Sequence, residues 1–171
     1  MQKFNTHNRT SHRCLKLREE DLENFLKEHG IKAEIVRLAS KVRTVKQAAK
    51  ALGIGPEFII KTVMFMDAEG EPVLAVVPGN RRADPQKLSK LVGSEVRLAK
   101  PAEVESHSGY PAGGLPPIGH KKPIRTYIDP EVLEKREVYG GGGSDQSLLR
   151  INPEDIKRVQ NAEVAPITMS E

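Results

Sequence analysis

The stretch Ile60-Lys61-Thr62-Val63-Met64-Phe65-Met66-Asp67-Ala68-Glu69-Gly70-Glu71-Pro72-Val73-Leu74-Ala75-Val76-Val77 decides the fold. Two runs rich in β-branched and large apolar residues flank Asp67 to Gly70, a turn-forming tetrad, and this pattern predicts a β-hairpin. Upstream, Thr44 followed three residues later by Gln47 reads as a capping box. Val45, Ala48, Ala49 and Leu52 form the apolar stripe of the helix it opens, and Gly53 ends it. Pro56 suits the first position of a short helical turn. Ile31 to Leu38 reads as a strand with Ile31, Ala33 and Ile35 on one face. A helix precedes it from Glu19 to His29, with Leu22, Phe25 and Leu26 inward and Gly30 as its stop.

Downstream, Asp84-Pro85 opens a helix with Leu88, Leu91 and Val92 as its stripe and Gly93 as its end. A short strand from Val96 to Ala99 and a short helix from Pro101 to Ser106 follow. Then comes the loop Gly109-Tyr110-Pro111-Ala112-Gly113-Gly114-Leu115-Pro116-Pro117-Ile118-Gly119. Further strands are expected over Ile124 to Ile128, Arg136 to Tyr139 and Leu148 to Ile151. The run Gly140 to Gly143 breaks the second of these, and Asn152-Pro153 caps a last helix to Val159. Hairpins and crossovers alternate irregularly, which favours an α/β fold of the mixed α+β kind over a doubly wound parallel sheet. No repeat or long linker divides the chain.

The sequence has 171 residues, enough for one domain with a sizeable core. It carries 27 Lys and Arg against 23 Asp and Glu, and the surplus is unevenly spread. Lys32, Arg37, Lys41, Arg43, Lys46 and Lys50 meet only Glu34. Arg81, Arg82, Lys87, Lys90, Arg97 and Lys100 meet only Asp84 and Glu95. Clustered positive charge attracts polyanions, although solvated helix faces look the same in a sequence. The single cysteine, Cys14, excludes an internal disulfide and multi-cysteine zinc sites. Neither a secretory signal nor a membrane-spanning run is evident, so a cytoplasmic location is expected.

Several chemistries fall away. There is no Gly-x-Ser-x-Gly elbow, and Cys14 sits in the basic arm, Met1 to Lys16. His7, His12, His29, His107 and His120 lack metal-ligand spacing, so neither metal nor cofactor is expected. Gly114 to Lys121 imitates a phosphate loop, but His120 stands where lysine belongs, and Pro116 and Pro117 have no N–H to offer. The same loop admits another use. Gly113 and Gly114 allow a carbonyl oxygen to approach their N–H groups closely, and the prolines would stiffen that approach, as an oxyanion hole requires. An ordinary surface turn remains the alternative. Lys61 has two readings as well: a strand-end lysine with its stem on the core, or an ammonium fixed to hold a carbonyl or phosphate oxygen.

Taken together, Ile60-Lys61-Thr62-Val63, the Gly109 to Gly119 loop, the late glycine turn and Ile151-Asn152-Pro153-Glu154-Asp155 resemble the YbaK/prolyl-tRNA-synthetase-associated domain family. The resemblance spans about Ile31 to Val159. It implies a mixed, partly barrel-like β-sheet surrounded by helices, with residues 1–30 as an arm and first helix before an editing domain over 31–171. It also implies hydrolysis of the ester in a mischarged aminoacyl-tRNA, a small amino acid such as alanine, serine, threonine or cysteine on proline tRNA. On this resemblance Lys61, Gly113 and Gly114 are catalytic. Thr44, Gly109, Tyr110, Leu115, Pro117, Ser144 and Asp145 would bind substrate, and Arg43, Lys46, Lys50, Arg81, Arg82, Lys121 and Lys122 would grip tRNA. Pro116 departs from the family pattern. Leu148 falls where some relatives carry an acid, which leaves Asp145 as its substitute. With no protein nucleophile in view, water or a substrate hydroxyl or thiol would attack. The implied partners are aminoacyl-tRNA and an aminoacyl-tRNA synthetase, the protein itself being a monomer or weak homodimer with no membrane association. A tRNA-binding or regulatory module without catalysis is the alternative function.

Overall fold

The computed structural model describes residues 16–170, so most of the basic arm, with Cys14, His7 and His12, lies outside the described residues. The hairpin at the centre forms as its sequence predicts. Strands β2 (Ile60–Met66) and β3 (Pro72–Pro78) pair antiparallel from Ile60 opposite Pro78 to Met66 opposite Pro72. Asp67 closes the turn, its Oδ1 accepting from the N–H groups of Glu69 and Glu71 at 2.9 Å.

The described chain runs α1 (Glu19–Glu28), β1 (Glu34–Arg37), α2 (Val45–Leu52), β2, β3, α3 (Pro85–Val92), β4 (Arg97–Leu98), α4 (Pro101–Ser108), β5 (Arg125–Ile128), β6 (Val138–Gly141), β7 (Ser147–Ile151), α5 (Pro153–Gln160) and β8 (Glu163–Val164). Five strands form one sheet in the order β4-β2-β3-β5-β8, with β3, β5 and β8 mutually parallel and β2 antiparallel to both neighbours. The other sheet is antiparallel, in the order β1-β7-β6. A single bridge between Ile59 and Tyr139 joins them, so the expected mixed sheet is present as two open sheets meeting at one edge rather than a closed barrel.

β2 and β3 are covered on both faces, which explains their nearly continuous apolar run. Ile60, Met64, Met66, Leu74 and Val76 enter the main core with Leu22 and Leu26 of α1, Val104 of α4 and Ile156 of α5. Phe65, Val73, Ala75 and Val77 face Leu88 of α3 and Ile167 near the C-terminus. Local chemistry sets the helix ends. Thr44 Oγ1 accepts from Gln47 N, and Gln47 Oε1 accepts in return from Arg43 N, one residue earlier than a strict capping box. Gly53 and Gly93 end α2 and α3 in the left-handed conformation. Asp84 and Asn152 cap α3 and α5, each with a proline at the first helical position.

Three expectations need correction, and one strand was missed. The strand expected from Ile31 begins at Glu34, because Ile31 N is still bonded to Leu26 O at the end of α1. The helix from Pro101 continues to Ser108. β6 is not broken by the glycines: Gly140 and Gly141 pair with Leu149 and Leu148 inside the ladder. β8, only two residues long, went unforeseen.

Candidate active site

The start of β2 borders a cleft of about 280 Å³. Ile60, Lys61 and Thr62 form one side, Val42 to Thr44 with Val45 at the start of α2 another, and Ala112, Gly113 and Leu115 a third. Gly140, Gly141, Ser144, Ser147 and Leu148 complete it. The hairpin edge, the glycine loop and the late glycine turn, more than twenty residues apart in sequence, therefore meet at one place.

Lys61 is half-buried and makes no hydrogen bond or ion pair among the described residues. Burial lowers the pKa of its ammonium, and the nearby Arg82 cation lowers it further. An uncompensated cation on a rigid strand, bordering a cleft, can hold a carbonyl or phosphate oxygen.

The glycines of the loop divide into two kinds. A Cβ added at Gly113 would meet nothing within 4 Å, and the residue is exposed. Packing does not require glycine there, but open space for a ligand does follow from it. Gly114 is buried, and a Cβ on it would stand 2.5 Å from Ser144 N. Its own N–H donates to Pro111 O at 3.0 Å, and its carbonyl accepts from Gly143 N at 2.8 Å. Gly114 thus fastens the loop to the glycine turn and has no N–H to spare, which leaves Gly113 as the available donor of the pair. A Cβ on Gly141 would overlap Leu115 O, so this strand glycine is fixed by the same close approach.

Of the residues expected at the substrate, Thr44, Leu115 and Ser144 border the cleft, whereas Gly109, Tyr110, Pro117 and Asp145 do not. Gly109 caps α4 in the left-handed conformation. Tyr110 is fully buried in the main core and supports the loop from beneath. Pro117 is buried and backs Gly140. Asp145 faces Lys41 at 3.8 Å. Among the expected tRNA contacts, Arg43 borders the cleft, and Lys46, Lys50 and Arg82 are exposed. Arg81 is turned inward, bonded to Thr168 Oγ1 and Met169 O and 3.7 Å from Glu131, so it holds the C-terminal segment. Lys121 and Lys122 line a separate groove with Phe25, His29 and Arg158.

Sequence reasoning missed the part played by His120. Its Nε2 lies 2.7 Å from Pro116 O, as a neutral ring donating one hydrogen bond back across the loop. Burial pushes its pKa down from 6.5 to about 4, and the Pro116 carbonyl opposes that shift only partly. Above pH 6.5 the ring is neutral whether the chain is folded or not. Between 6.5 and about 4 the unfolded chain binds the additional proton, so the stability present above that window is lost as pH falls through it. The melting temperature should therefore drop on acidification from pH 7 to 4.5, and His120→Gln should flatten that drop. An unchanged acid slope in thermal melts of His120→Gln would assign the titration to another group.

Comparison with known proteins shows the family and the fold. The model of the aminoacyl-tRNA editing domain matches residues 39–159, and the chain belongs to that family. It is 33% identical over 129 residues to a protein of Enterococcus faecalis provisionally named Cys-tRNA(Pro)/Cys-tRNA(Cys) deacylase EbsC, covering 75% of this chain and 79% of that one. Proline–tRNA ligase of Nitratidesulfovibrio vulgaris strain DP4 is 36% identical over 111 residues, which are 64% of this chain but only 19% of the ligase. A crystal structure described provisionally as a trans-editing enzyme for prolyl-tRNA synthetase superimposes with a TM-score of 0.83 at 33% identity, covering 89% of this chain and 97% of that one. Among the described residues no helix is long and apolar enough to cross a membrane.

Proposed function

We propose that this cleft hydrolyses the ester linking a wrongly attached amino acid to the terminal ribose of a tRNA. The observation that carries the proposal is the juxtaposition of Lys61, half-buried and unpaired among the described residues, with Gly113, whose missing side chain opens on unfilled space. The ester carbonyl enters over Gly113, and the Gly113 N–H donates to the oxygen as negative charge develops on it. Lys61 anchors that carbonyl or the terminal phosphate. No side-chain nucleophile is required: water attacks the carbonyl carbon, the ester C–O bond breaks, and the ribose oxygen leaves as a hydroxyl with the proton that the water gives up. Where a hydroxyl or thiol of the substrate attacks first, the cyclic ester or thioester it forms is then opened by water. A cleft of about 280 Å³ suits a small side chain. The Enterococcus faecalis relative, named for Cys-tRNA(Pro) and Cys-tRNA(Cys), supports cysteine on proline tRNA as a substrate, and the family resemblance extends the class to alanine, serine and threonine.

The test is release of free amino acid from a panel of such mischarged tRNAs, with correctly charged prolyl-tRNA as the control. Turnover of at least one mischarged member and sparing of the control is expected. Undiminished tRNA affinity with no turnover of any member would replace the enzyme by a binding module.

Arg43 borders the cleft, Lys46 and Lys50 are exposed on the adjoining α2, and the exposed Arg82 lies near enough to Lys61 to act on its charge; we assign these four to the phosphates near the acceptor end. Arg97 does not join them, since both its terminal nitrogens are engaged by Glu103 at 2.7 and 2.8 Å. Affinity for tRNA should fall steeply with salt, log K losing about 0.7 per contacted single-strand phosphate for each decade of concentration. Replacing Lys46 and Lys50 with alanine should make that slope shallower in a binding titration. A slope identical to that of the unmodified protein would mean that these lysines serve only solubility.

A further inference from the structure

A short chain of hydroxyls leads from the cleft to α1. Ser144 Oγ donates to Glu19 Oε1 at 2.5 Å, and a serine has only one hydrogen to give. In the 3.0 Å contact between Ser144 Oγ and Ser147 Oγ, Ser147 must therefore be the donor. Gln146 N donates to Ser144 Oγ at 3.1 Å, so that oxygen is fully engaged. Ser147 is in the opposite condition. It is 1% exposed and borders the cleft, its hydrogen is spent on Ser144, and no other described group bonds its lone pairs. An anchored carboxylate thus fixes the direction of both hydroxyls, and Ser147 Oγ can only accept. Arg37 Nε, 3.0 Å from Glu19 Oε2, holds the carboxylate in place.

Charge points the same way. Lys61 borders the cleft from β2 and repels a second cation, whereas the Ser144–Ser147 side is backed by Glu19. An aminoacyl ester carries one cation, its α-ammonium, and that group has only donors. We infer that Ser147 Oγ, oriented through Ser144 by Glu19, receives the α-ammonium of the aminoacyl group. The inference rests on the deacylase reading and adds to it a positioning residue, Glu19, that precedes the matched family region at 39–159.

The probe is a hydrolysis-resistant analogue, 3′-alanylamino-3′-deoxyadenosine, compared with its propionyl counterpart, in which hydrogen replaces the amine. Calorimetric titration of the unmodified protein should show the alanyl compound binding about tenfold tighter or more, as a hydrogen bond to a charged group implies. Ser147→Ala and Glu19→Ala should each bring the two affinities within about twofold of one another. A merely structural role would weaken both compounds alike and keep their ratio. Glu19→Ala, at the first residue of α1 and outside the hydrophobic core, preserves the test should Ser147→Ala fail to fold. Equal binding of the two compounds by the unmodified protein, or a ratio untouched by both substitutions, overturns the inference. Deacylation assayed in parallel separates the two readings: turnover with an untouched ratio removes ammonium recognition alone, and an altered ratio without turnover removes the hydrolase alone.

Discussion

Lys61→Ala should abolish deacylation of mischarged tRNA while leaving the protein folded. The ammonium contributes no hydrogen bond or ion pair to the described structure, so its removal strands no partner. Only the packing of its stem is lost, about 1 kcal/mol for a partly buried chain. The cost falls on the reaction instead. Partial burial and the neighbouring Arg82 cation both disfavour the charged form, so an oxygen ligand that relieves this repulsion is held more firmly than it would be by a lysine in open water. Lys61→Arg should rescue poorly, because the planar guanidinium is wider than the ammonium and directs its donors differently. Amino-acid release, read beside circular dichroism and a tRNA titration, decides the matter. Full turnover by a folded Lys61→Ala protein would remove Lys61 from the mechanism.

What the sequence made legible is what local chemistry dictates. Thr44 with Gln47, Asp84 before Pro85 and Asn152 before Pro153 mark helix starts through bonds that span two to four residues. The hairpin was equally plain, since Asp67 serves its turn from within it. The glycine run was misjudged because its reasons are remote. Gly141 is glycine because Leu115 O lies against it, and Gly143 because its φ of +101° excludes a side chain and α1 stands close, a Cβ there meeting Glu19 N at 3.2 Å. The link from Glu19 to Ser144 crosses 125 positions and leaves no periodic trace.

The candidate site shows the same division. Lys61 and the glycine loop could be named from their order along the chain, but which member of the loop does what could not. Tyr110, Pro117 and Asp145 look equally available in the sequence, and burial or pairing removes each from the cleft. Gly113 and Gly114 are indistinguishable as letters. Only the position of the missing Cβ separates a glycine that opens on empty space from one held by the loop's own anchorage.

That separation yields the second large effect. Gly113→Val should fold normally and lose on the order of a hundredfold or more in turnover, because an oxygen kept away from the remaining N–H forfeits what one oxyanion donor contributes. A Cβ at this position would have nothing within 4 Å, so the first added atom strains no neighbour, and the side chain narrows the open space beside Gly113 through which the substrate carbonyl must arrive. Gly114→Ala should behave in the opposite way. Its Cβ would press on the Ser144 backbone at 2.5 Å, so the loop or the glycine turn must shift and the melting temperature must fall. The two substitutions together form the test: one should impair turnover at unchanged stability, the other should impair stability itself. Thermal melts and amino-acid release on both proteins read this out. A Gly113→Val protein that melts normally and retains full activity would show that the carbonyl does not pass over Gly113, and the oxyanion would then need a donor elsewhere in the cleft.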